Sequence, residues 1–441
     1  MTAAGTDASR TPSWVEHSIW WHVYPLGFVG APVRDWDGTS MADEHRLLKI
    51  VEWLDYALEL GASGIALGPI FASEGHGYET VDHFRIDPRL GTDEDFDTLV
   101  EAAHKRGLKI MLDGVFNHVG QRFPKFEKAI AAGPDSAESA WFHLDWSGEA
   151  PTHRSFEGHN HLVTLNHDND EVRGYVADVM THWLGRGADA WRLDAAYAVP
   201  ERFWAAVMPR VREQHPDAYV LGEVIHGDYS HFVRTSTLDA VTQYELWKAT
   251  WSAITEKNFF ELSHALGRHG DWLDTFVPAT FVGNHDVNRI ASTITDERHL
   301  AHALVVLFTV GGTPMIYYGD EQGFRGVKEE RVGGDDDVRP EFPAHKDALA
   351  PHGWPVFHLH QELIGLRRRN PWLHTARTET VELTNTALLY RAHSGDHEIH
   401  VALNLGDEAV DYHLSGDVLA GQASVHAGWV TIQAHEWVVI G

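Results

Sequence analysis

The run Trp191-Arg192-Leu193-Asp194 sets a cation and a carboxylate two residues apart, between two helix-like segments, and reads as the end of a buried strand. Successive side chains of a strand point to opposite faces, so Arg192 and Asp194 project together while Trp191 and Leu193 pack the other way. A neighbouring guanidinium lowers a carboxylate's pKa, so Asp194 is expected to be ionised at neutral pH, as a nucleophile or an electrostatic anchor. Polar residues close other apolar runs as well: Asp113 to His118, Glu223, and Asn284-His285-Asp286. Any one strand-end Asp is equally well explained as the N-cap of the next helix. The set is not, because buried like charges cost free energy and Glu is a poor N-cap, which disfavours that reading for Glu223. An ionised carboxylate beside a carboxylic acid whose pKa is raised by burial is what retaining glycoside hydrolysis needs. In that chemistry Asp194 attacks the anomeric carbon and Glu223 protonates the leaving oxygen.

The elements that must hold these residues alternate in type. Ile19 to Tyr24 reads as a first strand, followed by a helix in which Leu47, Val51, Leu54 and Leu58 recur at helical spacing until Gly61 caps it. A strand over 64–70 precedes a helix opened by Thr92 and Asp93, with Phe96, Leu99, Val100 and Ala103 on one face and Gly107 as its stop. The strand over 108–116 is nearly continuous in apolar residues, as a parallel strand covered by helices is. After an irregular segment, 119–165, strands over 189–194, 218–224, 238–244, 280–283 and 315–318 alternate with helices over 170–185, 200–213, 246–267, 297–309 and 356–369. Eight such units predict an α/β fold, a TIM (β/α)8 barrel with an inserted excursion after strand 3, and place the working residues at the C-terminal ends of the strands. Short alternating runs at 379–383, 387–391, 398–404 and 437–440 predict a C-terminal antiparallel β domain. The expected division is a loose tail over 1–17, the barrel over 18–118 and 166–374, the excursion over 119–165 and a C-terminal β-sandwich over 375–441.

Composition restricts the partners. Sixty-four acidic against 35 basic residues in 441 give a net charge of -29, which argues against nucleic acid and is compatible with a neutral substrate. The absence of Cys removes disulfides and thiolate metal sites. No run approaches the roughly 18 apolar residues of a membrane span, and no cationic, apolar leader opens the chain, so a cytoplasmic protein with no membrane partner is expected.

Asp113-Gly-Val-Phe-Asn117-His118, Trp191-Arg192-Leu193-Asp194-Ala, Leu221-Gly-Glu223-Val and Phe281-Val-Gly-Asn284-His285-Asp286 resemble, in order, the four short signature regions of the α-amylase superfamily, glycoside hydrolase family thirteen. His76-Gly77-Tyr78 to Asp82 and Gly312 to Glu321 are similar to two further family stretches. The resemblance implies Asp194 as nucleophile, Glu223 as general acid and base, and Asp286 as the stabiliser gripping the sugar's 2- and 3-hydroxyls. It implies that His118 and His285 hydrogen-bond the sugar at the cleaved position and that Tyr78 stacks beneath its ring. The excursion then corresponds to the family's domain B. Leu162 to Arg173 resembles a fifth region in the form of the cyclomaltodextrinase, neopullulanase and maltogenic amylase branch. That branch implies that Asp337 and Arg339 bind the next sugar inward.

The chain departs from the branch in three ways. Its first barrel strand starts by residue 19, leaving no room for the N-terminal β domain common there, so the cleft is expected to be closed by the excursion or by a homodimer. Tyr197 and Ala198 stand where relatives often carry Asn and Glu, and Ile225 where they often carry Trp, which bears on the leaving-group side. Asn117 matches a structural calcium ligand of many α-amylases, but a hard cation wants six or more oxygens and no partner ligand is evident, so no cofactor is required. Asp35-Trp36-Asp37-Gly38 is a candidate second oxygen cluster or an acidic turn. His159-Asn160-His161 after Glu157 is the cluster a zinc reading would try first. Without a fourth ligand, solvated or substrate-lining His is the better reading. Trp141, Phe142, Trp146 and Phe156 read equally as sugar platforms or as the excursion's own core. The resemblance implies a retaining α-glucan hydrolase of short linear or cyclic α-1,4-linked maltooligosaccharides, a cyclic maltosyl-maltose among them, releasing maltose or glucose. The rivals are an α-glucosidase or transglycosylase of the same superfamily, and a non-catalytic amylase-like subunit, which should lack a triad member and carry a membrane span.

Overall fold

The computed structural model describes residues 11–441 except 35, 37 and 38, so the expected tail up to residue 10 and most of the acidic turn at 35–38 lie outside the described residues. Eight short strands, β1 (Trp20–Val23), β2 (Gly64–Leu67), β3 (Lys109–Gly114), β4 (Ala190–Leu193), β5 (Tyr219–Gly222), β6 (Ala240–Val241), β7 (Ala279–Phe281) and β8 (Thr313–Tyr317), form one parallel sheet. Consecutive strands pair from β1 to β6 and from β7 to β8, and β1 returns to β8 with Trp20 opposite Met315. Between β6 and β7 a single parallel bridge, Thr242 to Ala279, draws the sheet round into a nearly closed barrel. The predicted fold class is therefore the observed one.

The local signals explain most of the outer ring. The helix Asp93–Lys105 opens on Thr92, whose side chain accepts the Asp95 N–H in a capping box, and it buries Phe96, Leu99, Val100 and Ala103. Two expected helices prove to be pairs. Leu48–Glu52 and Leu54–Leu60 break at Trp53, whose ring packs at 4.5 Å from that of Phe342, and Leu58 faces solvent. The expected 246–267 helix is Tyr244–Thr255 followed by Phe259–Trp272, separated at Lys257 in the left-handed region. The segment just before β1 is tethered: Ser13–His17 forms a 3-10 helix and Val15 is buried.

The C-terminal part forms a five-stranded antiparallel sheet and a three-stranded one, with a separate small core of Leu389, Ala402, Tyr412, Val430, Ile432, Val438 and Ile440. The excursion carries a helix, Pro124–Ala132, and a strand, His159–Thr164, which pairs with His118–Val119 and with Ser155–Phe156. Its aromatics divide by role. Trp141 and Phe142 are core, Phe142 packing edge-on to Phe126, whereas half-buried Phe156 stacks on the His118 ring at 5.0 Å. Among the described residues no helix is long and apolar enough to cross a membrane.

Candidate active site

Register brings the charges together. Arg192 on β4 lies directly across from Asp113 on β3, and both side chains leave the same face of the sheet. The ladder continues one residue past each strand: Asp194 N–H donates to Gly114 O and Glu223 N–H to Leu193 O. Asp194 and Glu223 are thus held rigidly at adjacent strand ends. Their side chains meet on one guanidinium, with Arg192 Nη1 donating to Asp113 Oδ2 at 2.6 Å and to Asp194 Oδ1 at 3.4 Å, and Nη2 lying 2.7 Å from Glu223 Oε1.

Glu223 is the most fully held of the three. Its Oε1 also accepts from Tyr244 OH at 3.0 Å, the Tyr244 oxygen itself accepts from Asn284 Nδ2, and Oε2 accepts the Ala195 N–H at 2.9 Å. Ala195, which donates that N–H, has its backbone in the left-handed region, φ 44°, a conformation unfavourable for a residue with a Cβ. Strain immediately after Asp194 is thus tied to the orientation of Glu223.

The electrostatics correct one expectation. Arg192 does not hold Asp194 below the usual carboxylate range: burial and the neighbouring Glu223 and Asp113 carboxylates raise Asp194 well above it despite Arg192. The guanidinium makes its short contacts to Asp113 and Glu223, and Asp194 receives the weakest share. Asp286 behaves oppositely. Burial works against its ionisation, but His285, Arg339 and Lys328 outweigh it and keep Asp286 well below the ordinary range. Its Oδ1 accepts from Arg339 Nη2 at 2.9 Å and its Oδ2 lies 2.9 Å from His285 Nε2.

The rings line the floor. His285 lies between Tyr78 and Tyr24, nearly parallel to both at 5.6 and 6.0 Å, and its Nε2 hydrogen-bonds Tyr78 OH. Burial lowers His118 to about 3, so it is neutral. Among the described residues His118 Nε2, His285 Nδ1 and Asp113 Oδ1 are buried without a hydrogen-bond partner.

The structure gathers Tyr78, His118, Arg192, Asp194, Glu223, His285, Asp286 and Arg339, and does not bring the Asp337 side chain into contact with them. That side chain is exposed on the 3-10 turn Asp336–Val338, and Asp335 instead pairs with Arg339 Nη1 at 3.2 Å. The backbone around Arg339 is packed too tightly to shift: a Cβ on Gly27 would come within 2.3 Å of Arg339 O, and one on Gly326 within 2.1 Å of Asp337 O. Sequence reasoning assigned no role to Asp113, Tyr244, Asn284 or Tyr24 themselves. Asp113 and Asn284 stand inside the strand-end motifs, but Tyr244 follows a two-residue strand and carries no local signal. Asn117 Nδ2 meets His118 Nδ1 at 3.1 Å and the Asn117 backbone carbonyl accepts the Leu165 N–H. The excursion reaches the mouth, where Glu157 accepts from Tyr197 OH at 2.7 Å beside Phe156.

Residues 38–385 match the family model described as alpha amylase, catalytic domain. The chain is 31% identical to a maltogenic alpha-amylase of Bacillus acidopullulyticus, over 96% of this chain and 75% of that protein. It is 30% identical to a cyclomaltodextrinase of Geobacillus thermopakistaniensis, over 92% and 71%. A debranching enzyme of Nostoc punctiforme, solved after an acarbose soak, superposes with a TM-score of 0.82 at 27% identity, covering 98% of this chain and 99% of that one.

Proposed function

The chain belongs to the α-amylase family of glycoside hydrolases, and from that premise we propose that it is a retaining α-glucan hydrolase acting on α-1,4 bonds of short linear or cyclic maltooligosaccharides. The observation that carries the reading is Arg192 holding Asp194 and Glu223 on adjacent strand ends, a spacing set by one guanidinium. A carboxyl pair about 5 to 5.5 Å apart suits a double displacement, whereas an inverting pair stands farther apart to admit a water, so the anomer of the first product decides between them.

In the first step the Glu223 carboxylic acid gives its proton to the glycosidic oxygen as the bond from that oxygen to the anomeric carbon breaks. An Asp194 oxygen forms the new bond to that carbon. In the second, Glu223 takes a proton from water, the water oxygen bonds to the anomeric carbon, and Asp194 leaves as a carboxylate. The pair needs one proton between its two members and needs it on Glu223. The raised pKa of Asp194 supports a site that retains such a proton at neutral pH. Asp286, held ionised by Arg339 and His285, is placed to accept sugar hydroxyls whose hydrogen bonds strengthen as positive charge develops on the ring. Tyr78 and Tyr24, with His285 between them, would form the apolar floor under that ring.

The relatives' names, maltogenic amylase and cyclomaltodextrinase, support maltose-yielding cleavage of short or cyclic substrates. Product analysis on maltotriose, cyclodextrins, pullulan, panose, a cyclic maltosyl-maltose and starch tests the substrate class and detects transglycosylation. Nuclear magnetic resonance of the fresh product should find the α-anomer. A β-anomer, or near-wild-type turnover in Asp194→Asn or Glu223→Gln, would sink the assignment.

A further inference from the structure

Beside the sugar site lies a second constellation that the hydrolytic chemistry does not use. A nitrogen of His76, a nitrogen of His161 and a carboxylate oxygen of Glu79 all lie within 4.8 Å of one another. His76 and Glu79 stand three residues apart on the turn between strands Phe71–Ser73 and Thr80–Ile86, closed by Glu74 N–H donating to Glu79 O. His161 comes from the excursion strand His159–Thr164. Both imidazoles converge on a single oxygen: Glu79 Oε1 is 3.1 Å from His76 Nε2 and 3.8 Å from His161 Nε2.

Two features set this apart from an ordinary histidine-carboxylate pair. Glu79 is buried, its side chain 8% exposed, and among the described residues its ion-pair partners are these two imidazoles, with no Lys or Arg. A buried carboxylate without a permanent cation is costly. In addition, among the described residues Glu79 Oε2 and His76 Nδ1 are both buried without a hydrogen-bond partner.

We propose that His76, Glu79 and His161 bind one divalent transition-metal ion of the zinc class, clamping the excursion onto the loop that carries Tyr78. Two imidazoles and one carboxylate are donors for zinc and its neighbours, whereas calcium wants oxygen alone. Tetrahedral zinc with bonds of about 2.0 to 2.2 Å holds its ligand atoms roughly 3.3 to 3.5 Å apart, so the three donors need only small rotamer shifts to close on an ion. The fourth position is left for water. Because the His76 ring is 5.7 Å from that of Tyr78, the ion would fix the rim of the cleft without entering the chemistry.

The test is calorimetric titration of the chelator-treated full chain with zinc chloride. The wild type is expected to bind one ion per chain at this site. His161→Ala, which removes a half-exposed side chain and should fold normally, and Glu79→Gln should each weaken that binding at least about tenfold. His435→Ala, in the separate group Asp296, His299 and His435, should leave it intact. Zinc should also slow hydrogen exchange over residues 155–165 in the wild type and not in His161→Ala. No zinc binding by the wild type, or binding kept in His161→Ala and lost in His435→Ala, would overturn the proposal.

Discussion

Replacing Asp194 by Asn should raise the stability of the protein while abolishing turnover, and the size of the gain follows from how Arg192 is shared. Arg192 Nη1 lies 2.6 Å from Asp113 Oδ2 and 3.4 Å from Asp194 Oδ1, so those two oxygens are no more than about 6 Å apart. At an effective dielectric constant of about 20 their repulsion is about 3 kcal/mol, against about 5 kcal/mol of attraction between Asp194 and Arg192. Glu223, on the same guanidinium, adds repulsion of the same order. The charge terms roughly cancel, and desolvation then decides the outcome, which is why Asp194 sits well above its usual 3.8. Below about pH 4 the folded and unfolded chains both keep the Asp194 proton, and Asn changes little. As pH rises beyond that, the unfolded chain ionises Asp194 freely while the folded chain ionises it only at a cost, so the wild type loses stability and the Asn variant does not. With the charge terms roughly cancelled, the gain is the desolvation penalty left on a buried Asp194 carboxylate, on the order of 3 kcal/mol. With an unfolding entropy of about 2.1 cal/mol/K per residue, that is a rise of about 3 °C in Tm for a chain this long. Scanning calorimetry of both proteins between about pH 4 and pH 8 measures it. A Tm difference that is negative at the alkaline end would mean that Arg192 wins and that the reasoning about shared charge is wrong.

Three further outcomes follow from the same contacts. Tyr244→Phe removes the hydroxyl that donates to Glu223, a hydrogen bond worth about 0.5 to 1.5 kcal/mol, so kcat/KM on maltotriose should fall about 2- to 12-fold with the fold intact by circular dichroism; a loss under about twofold would remove Tyr244 from the site. Arg339→Ala should cost about 10- to 150-fold because Asp286 loses its charged partner at 2.9 Å, whereas Asp337→Asn should stay near wild type; the reverse ranking of their kcat/KM values would restore Asp337 to the site. Phe156→Ala takes away the ring stacked on His118, and an aromatic pair worth about 0.5 to 1.5 kcal/mol predicts a 2- to 12-fold fall in kcat/KM with little change in Tm; unchanged kinetics would place the excursion outside the working cleft.

Periodicity was enough to find the barrel because its strands are buried on both sides and some helices announce their ends, as Thr92 and Gly107 do around Asp93–Lys105. The errors fall where tertiary contact overrides local pattern. Apolar spacing continues through Trp53, but that ring is drawn into the Phe28 and Phe342 cluster and the helix breaks there. Lys257 divides the 246–267 segment by adopting a positive φ that no neighbouring residue type signals. In the C-terminal part, Val410–His413, Val418–Gly421, Ser424–His426 and Trp429–Ile432 went unread as strands because runs of three or four residues with mixed burial carry little alternation.

Within the site, the same distinction separates what a strand's own geometry dictates from what its neighbours decide. That Arg192 and Asp194 share a face follows from the two-residue repeat of any strand, and the structure keeps it. Which carboxylate the guanidinium serves best depends on the register between β3 and β4, which sets Asp113 opposite Arg192, and on β5, which delivers Glu223 to its second nitrogen. Neither is written in the run 191–194. A residue's place on its own element is a local property, whereas its charge state belongs to the competition among all groups that reach it. Asp286 makes the converse case: it adjoins a histidine in sequence, yet its ionisation also draws on Arg339 from a loop 53 residues away. Of two carboxylates at strand ends of one barrel, the one beside an arginine in sequence is held up and the one without is held down, because guanidinium contacts are apportioned in space.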